Sequence, residues 1–254
     1  MESATAPLFS VITAVFNGQG KIGSTIASVL SQDPEWFEYI VIDGNSTDAT
    51  LDEIQKAGDS IRWISEADRG VYDALNKGIR LARGQFLYFI GAGDTLRAGA
   101  LQRIAGHIHQ AGLETCAKPC LVYGDVFSED MGKIYGGRTG KIKLGFLNIC
   151  HQAIFYDRRI FDQLGGYDTK YRILADYHLN LRCYGADSIR KVRVPVVVAN
   201  YETAGLSSAA DHDFDAAHAS LVREHLGLAS LLVLKLRYRW LRLFSAFRQN
   251  QPDP

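Results

Sequence analysis

Apolar residues along this chain follow two rhythms. The stretches "LFSVITAVFN" (8–17), "FEYIVIDG" (37–44), "IRWISE" (61–66) and "QFLYFIGAGD" (85–94) are short, β-rich and nearly unbroken. A run without polar alternation predicts a parallel strand covered on both faces. Between these runs the spacing becomes helical. Ile22, Ile26, Val29 and Leu30 recur within "GKIGSTIASVLSQ", and Leu75, Ile79 and Leu81 within "GVYDALNKGIRLARG", which closes at Gly84. "NSTDATLDEIQKAG" (45–58) predicts a capped helix with Asp48 and Asp52 as ordinary acids of its start and a glycine after its end. Strands alternating with helices through residue 110 predict an open α/β sheet, whose ligands gather at the carboxyl ends of the strands.

Beyond Leu121 the rhythm loosens. "LVYGDVF" predicts a strand, "GGRTGKIKLG" a loop, and "HQAIFYDRRIFDQLGGYD" a strand with a short helix. "ILADYHLNLRCYGA" predicts an amphipathic helix, and "VRVPVVVANYE" one strand or two. No internal repeat or low-complexity linker divides the chain, so residues 1–225 are expected to form one domain. Residues 226–254 read as a basic helical tail, in which Leu, Val, Trp and Phe mingle with Lys235, Arg237, Arg239, Arg242 and Arg248. Such a helix suits an anionic membrane surface, or packs on its own domain or a second subunit.

Composition narrows the picture. At 254 residues and 47% hydrophobic, the chain can bury a sizeable core. Lys and Arg total 28 against 28 Asp and Glu, so no global field favours nucleic acid. Cys116, Cys120, Cys150 and Cys183 lack paired metal-ligand spacing and read as free thiols of a reducing cytoplasm. The start, "MESATAPLF", has no signal-peptide pattern, and no window of 18 apolar residues predicts a membrane span.

Two chemistries compete for the strand ends. "GQGKIG" (18–23) follows a strand, opens a helix and precedes Asp43, as a dinucleotide-binding fingerprint would, and so suggests a nicotinamide-dependent oxidoreductase. Against it, Phe16 and Asn17 lengthen the turn, and the acid lies in "DGNSTDAT", which also reads as a helix start. The second reading takes all four ends together: "TAVFN", "DGNSTDAT", "SEADRG" and "GAGD". Asp43, Glu66, Asp68 and Asp94 would converge there, suited to a cation carrying a diphosphate or to a base N–H and ribose hydroxyls.

In their order, "SVITAVFNGQGKIGSTIASVLSQ", "YIVIDGNSTDAT", "SEADRGVYDALNKGIRLARG", "FLYFIGAGDTL", "HQAIFYDRRIFDQLGGYD" and "LADYHLNLR" resemble the inverting family 2 glycosyltransferases, over about residues 8–225. The resemblance implies a GT-A fold, an open and mostly parallel α/β sheet flanked by helices. It implies a nucleoside diphosphate sugar donor, with uridine the expected nucleotide, and Mn2+ or Mg2+ as cofactor. Thr13, Val15 and Asn17 would line the nucleotide pocket, and Asp43 would accept from the base. Glu66, Asp68, Asn76 and Lys77 would bound the nucleotide and sugar, with Gly93 keeping the backbone near the diphosphate. Asp94 matches the last acid of a metal-binding D-x-D and Asp176 the general base, although Ala175 stands where Glu is usual. His151 and Gln152 match a pair on the acceptor side.

These residue types suit the chemistry. A cation stabilises the departing diphosphate, and a carboxylate takes the proton of the attacking hydroxyl. Asp176 at a helix start also reads as an N-cap. "ANYETAGLSSAADHDF" reads as a loop over the site, with Gly205 for flexibility, Ser207 and Ser208 toward a phosphate, and His212 as a further metal ligand. The expected acceptor is a glycan or lipid-linked precursor of the cell surface. The tail then suggests a cytoplasmic enzyme at the inner membrane face, or a homodimer. A non-catalytic nucleotide-sugar-binding subunit is the remaining alternative.

Overall fold

The computed structural model describes residues 6–201 and 210–249, with side chains as far as Leu241. In chain order the elements begin with β1 (Phe9–Val15), α1 (Ile22–Leu30), β2 (Phe37–Asp43), α2 (Thr50–Gln55), β3 (Arg62–Ser65), α3 (Val71–Leu81), β4 (Phe86–Phe89), β5 (Thr95–Leu96) and α4 (Ala100–Gln110). They continue with β6 (Cys120–Ser128), β7 (Lys133–Tyr135), α5 (Lys141–Leu144), β8 (Ile154–Asp157), α6 (Arg159–Leu164), α7 (Ala175–Gly185), β9 (Arg190–Tyr201), α8 (His212–Leu226) and α9 (Leu228–Gln249).

Among the described residues nine strands join one sheet, in the order β3-β2-β1-β4-β8-β6-β9-β5, with β7 paired to β6. The first four are parallel; β8 enters antiparallel between β4 and β6, and β9 runs parallel to β6. The unbroken apolar runs still divide between two cores by period two. Phe9, Val11, Tyr39, Val41, Phe86 and Tyr88 pack on one side with α1 and α4. Ile12, Ile40, Ile42, Leu87 and Phe89 pack on the other with α3, α7 and α8.

Several elements depart from the sequence pattern. "GGRTGKIKLG" contains the short helix α5 rather than loop alone. The expected amphipathic helix is α7, which is buried nearly all round: Tyr177, Leu179, Leu181, Cys183 and even Asn180 lie inside. α2 begins only at Thr50, because residues 44–49 form a bent connection in which Asn45 is left-handed (φ 66°). "VRVPVVVANY" (192–201) falls in one strand, bent where the β6–β9 register shifts opposite Pro195, which has no N–H to give the ladder. Leu231 and Leu234 of α9 belong to the core, whereas residues 235–241 are exposed throughout. Among the described residues no helix is long and apolar enough to cross a membrane.

Candidate active site

The ends of the parallel strands meet through their connections. Asp43, at the end of β2, is fully buried; its oxygens accept from the Ser46 N–H and hydroxyl and from the Ser65 hydroxyl. Asn17, in a left-handed conformation (φ 49°), accepts the Thr47 N–H and donates its own N–H to the Ser46 hydroxyl. These bonds make a closed seam between the β1 and β2 ends. Thr13 is buried against the Tyr39 hydroxyl, and the Val15 side chain lies in the core while its carbonyl accepts the Gly44 N–H.

The "GQGKIG" loop has a different use from the one its spacing suggests. The N–H groups of Gly20 and Gly23 donate to Glu53, that of Gln19 to Asp48, and that of Gly18 to the Thr50 hydroxyl. Carboxylates of α2 and its approach therefore occupy the donors that a pyrophosphate would need. With Asp43 also enclosed, the fingerprint is a structural junction, and the oxidoreductase reading loses its site. Asp48 is held below the usual carboxylate range, first by the Thr50 hydroxyl, as befits a turn-forming acid.

Asp68 lies where a ligand can reach. Its carboxylate accepts the Gly70 N–H ahead of α3 and rests on Gly44, where an added Cβ would stand 2.5 Å from an Asp68 oxygen. A cleft of about 600 Å3 opens here, lined among others by Phe16, Gly44, Asp68, Arg69, Tyr72 and Arg172. Phe16 is 63% exposed, an unusual position for a large ring and one the sequence reading left unassigned. Glu66 pairs with Lys77 at 3.0 Å, and Lys77 also donates to the Ala67 carbonyl. Asn76 lies away from this cleft, its amide bonded at both ends to the Tyr167 backbone.

A second cluster forms where the antiparallel strands join. After β4 the chain turns through Gly91 to Asp94, and Gly93 needs its φ of 105°. Thr25 holds that turn, accepting the Gly93 N–H and donating to the Asp94 carbonyl. Gln152 donates to the Asp94 carboxylate at 2.8 Å. Beside it, His151 favours the ionised form of Asp176. The expected acceptor-side pair thus joins Asp94 to Asp176 across 82 positions. Cys150, part of the same turn, has its thiol pushed up to about 11, by burial first and then by the carboxylates of Asp176 and Asp94.

Asp176 is 7% exposed and lies within α7. Leu174 occupies the N-cap position without a side-chain cap bond, so Asp176 is a first-turn residue of this helix and not its N-cap. One Asp176 oxygen takes the Asn148 amide at 2.9 Å; the other faces the Tyr72 hydroxyl at 3.0 Å. Tyr72 has a single proton and also meets the Ile173 carbonyl at 2.6 Å, so it satisfies the carboxylate only in part. Burial raises the Asp176 pKa above the ordinary value; His151, Tyr72 and Asn148 oppose that rise without cancelling it. Behind Asn148, its carbonyl accepts from Asn180, whose own carbonyl accepts the Tyr156 hydroxyl. Asn148, Asn180, Tyr72 and Cys150 carry no spacing signal that sequence reading could use, except that Asn180 lies one helical turn after Asp176.

His212 is exposed at the start of α8. Gly205, Ser207 and Ser208 lie outside the described residues. Among the described residues no group of three His, Cys, Asp or Glu side chains makes a protein-only metal cage. A Mg2+ ion needs only one or two protein carboxylates when phosphate oxygens and water complete its shell, so the absence of such a cage does not argue against a cation bound with its substrate.

The strand ends thus carry an open cleft beside Phe16 and Asp68 and a buried carboxylate at Asp176. The model of "Glycosyl transferase family 2" matches residues 10–165. The chain belongs to that family. A "PGL/p-HBAD biosynthesis glycosyltransferase" of Mycobacterium bovis (strain BCG / Pasteur 1173P2) is 36% identical over 94% of this chain and 93% of its own length. A glycosyltransferase of Mycobacterium tuberculosis (strain CDC 1551 / Oshkosh) is 30% identical over 80% of this chain and 78% of its own. Among solved structures, S. aureus TarS 1–349 in complex with UDP-GlcNAc aligns with a TM-score of 0.68 at 16% identity, over 85% of this chain and 67% of that one. This chain spans 38% of a longer TarS structure. The mannosyltransferase PcManGT of Pyrobaculum calidifontis, in complex with GDP-Man and Mn2+, aligns at 0.61 and 16% identity, over 96% of this chain and 76% of that one. These likenesses bear out the GT-A fold, and the family makes the chain a glycosyltransferase.

Proposed function

We propose that this glycosyltransferase moves a sugar, with inversion, from a uridine diphosphate sugar to a hydroxyl of a glycan or lipid-linked acceptor, with Asp176 as general base. One observation carries the reading: a buried carboxylate of raised pKa, oriented by Asn148 and Tyr72, is joined through the His151–Gln152 turn to Asp94. A base of raised pKa binds a proton more strongly than an exposed acid. The nucleoside occupies the cleft of Phe16, Gly44 and Asp68. Its base stacks on the exposed ring, and Asp68 accepts from the nucleoside.

In the reaction, the acceptor oxygen attacks the anomeric carbon from the side opposite the diphosphate. Its proton passes to Asp176 as the new C–O bond forms, and the electron pair of the breaking bond leaves with the diphosphate. A single displacement inverts the centre and needs one base. Asp94 would hold Mn2+ or Mg2+ together with diphosphate oxygens; when bound, the cation offsets the charge of the leaving group. Gln152 keeps the Asp94 carboxylate turned toward that place.

The test is Asp176→Asn. Transfer from UDP-sugars should fall by about 10²–10⁴-fold, the usual contribution of a general base, while donor binding persists. Transfer at the wild-type rate would remove Asp176 from this role.

A further inference from the structure

α9 leaves the domain with one side filled and one bare. Ser230, Leu231 and Leu234 are buried. At 100° per residue, Leu228, Leu232 and Leu236 fall on the other side, and each is 61–66% exposed. A neighbouring element borders α9 along the edge of its filled side. Gly145, just after α5, packs against Ser230, and the Arg237 guanidinium lies 4.7 Å from the Phe146 ring centre. Beside these contacts Ile142 and Leu147 are 50% and 53% exposed. The next residue is Asn148, which holds Asp176.

The charge of this rim has one sign. Residues 228–249 carry Lys235, Arg237, Arg239, Arg242 and Arg248 and no carboxylate, although the whole chain is formally neutral. α5 adds Lys141 and Lys143. Asp215 of α8 lies beside Tyr238, toward the filled side. A second copy is a poor occupant, because a two-fold interface centred on α9 would set its cations against each other, and α9 itself carries no acid to pair them. An anionic lipid surface matches both the apolar line and the charge.

We propose that the rim made by α9 and α5 rests on anionic lipid, so that the acceptor side of the site opens onto the membrane surface and takes an acceptor anchored there. The docking stands on the rim alone; the acceptor half rests on the transferase reading above. The test uses the full chain and vesicles of mixed phosphatidylglycerol and phosphatidylcholine, with phosphatidylcholine alone as control. Sedimentation should show at least about tenfold stronger binding to the anionic vesicles, weakened by salt. Leu232→Glu with Leu236→Glu should abolish it without changing the circular dichroism, since both side chains are exposed. Ile142→Glu with Leu147→Glu should weaken it several-fold.

Equal partition onto neutral vesicles, or none onto anionic ones, would overturn the docking. So would a dimer in light scattering that the α9 variant dissolves. Binding that ignores the α5 variant would overturn the acceptor half, because the site would then face away from the lipid. No readout here depends on turnover, so failure of the transferase reading is seen separately.

Discussion

Asp176 sits in surroundings that oppose its own charge. Burial raises its pKa above the ordinary 3.8, and the fields and hydrogen bonds of His151, Tyr72 and Asn148 return only part of that rise. The native group keeps its proton to a higher pH than the unfolded chain does. Its contribution to folding is therefore full below the unfolded value and is lost as pH rises through the native value. Catalysis requires the charged form, so the acid limb of kcat/KM should lie above the ordinary carboxylate value. Asn148→Ala removes a donor that favours the charge and should move that limb further up. It also leaves Asn180 and Asp176 each short of a partner, at about 1–3 kcal/mol. A pH–rate profile with an unmoved limb would reduce Asn148 to packing. For Asp94, alanine should abolish metal-dependent donor binding, and undiminished Mn2+ dependence in a binding titration would remove Asp94 from the metal.

At the scale of elements, α7 is aimed by α8. Asp211 caps α8 through the Phe214 N–H and also accepts the N–H groups of Ile173 and Leu174, just before Asp176. Burial raises the Asp211 pKa, yet the three backbone donors outweigh it and hold the group low. A depressed acid stabilises the fold above its unfolded value, and that support is lost as pH falls through the native one. Asp211→Ala should lower stability by about 1–2 kcal/mol, as loss of a cap does. It should also flatten the acid side of the melting-temperature profile; a variant with the wild-type profile would remove Asp211 as the joint. The start of α1 shows the same economy of carboxylates. Glu53 and Asp48 satisfy its loop, which is why a six-residue spacing alone gave a false oxidoreductase reading.

For the molecule as a whole, the parallel half of the sheet gathers the cleft proposed for the nucleotide, and the antiparallel entry of β8 carries the His151–Gln152 turn to Asp94. UDP with Mn2+ should therefore raise the melting temperature, by about 2.7 kcal/mol of stability at a hundredfold excess over Kd, and NAD should leave it unchanged. A shift with NAD alone would reverse the assignment. The alternation of strand runs and helical spacing, the acid after β4 and the acid in "ADYHLNLR" were legible because each is a local pattern in the chain. The fates of Asn76 and Lys77 were not: each found a partner, Tyr167 or Glu66, that the surrounding loops supplied.

The sequence by itself determined the α/β order and the family, and it named Asp94 and Asp176 as candidates, since backbone periodicity and residue type are written locally. The tertiary structure decided which polar groups are already satisfied. It enclosed Asp43, closed the glycine loop with Glu53, exposed Phe16, and set Asn148, Cys150 and Tyr72 around Asp176. Burial and hydrogen-bond partnership depend on residues up to about a hundred positions apart, and no spacing along the chain encodes which of them will meet.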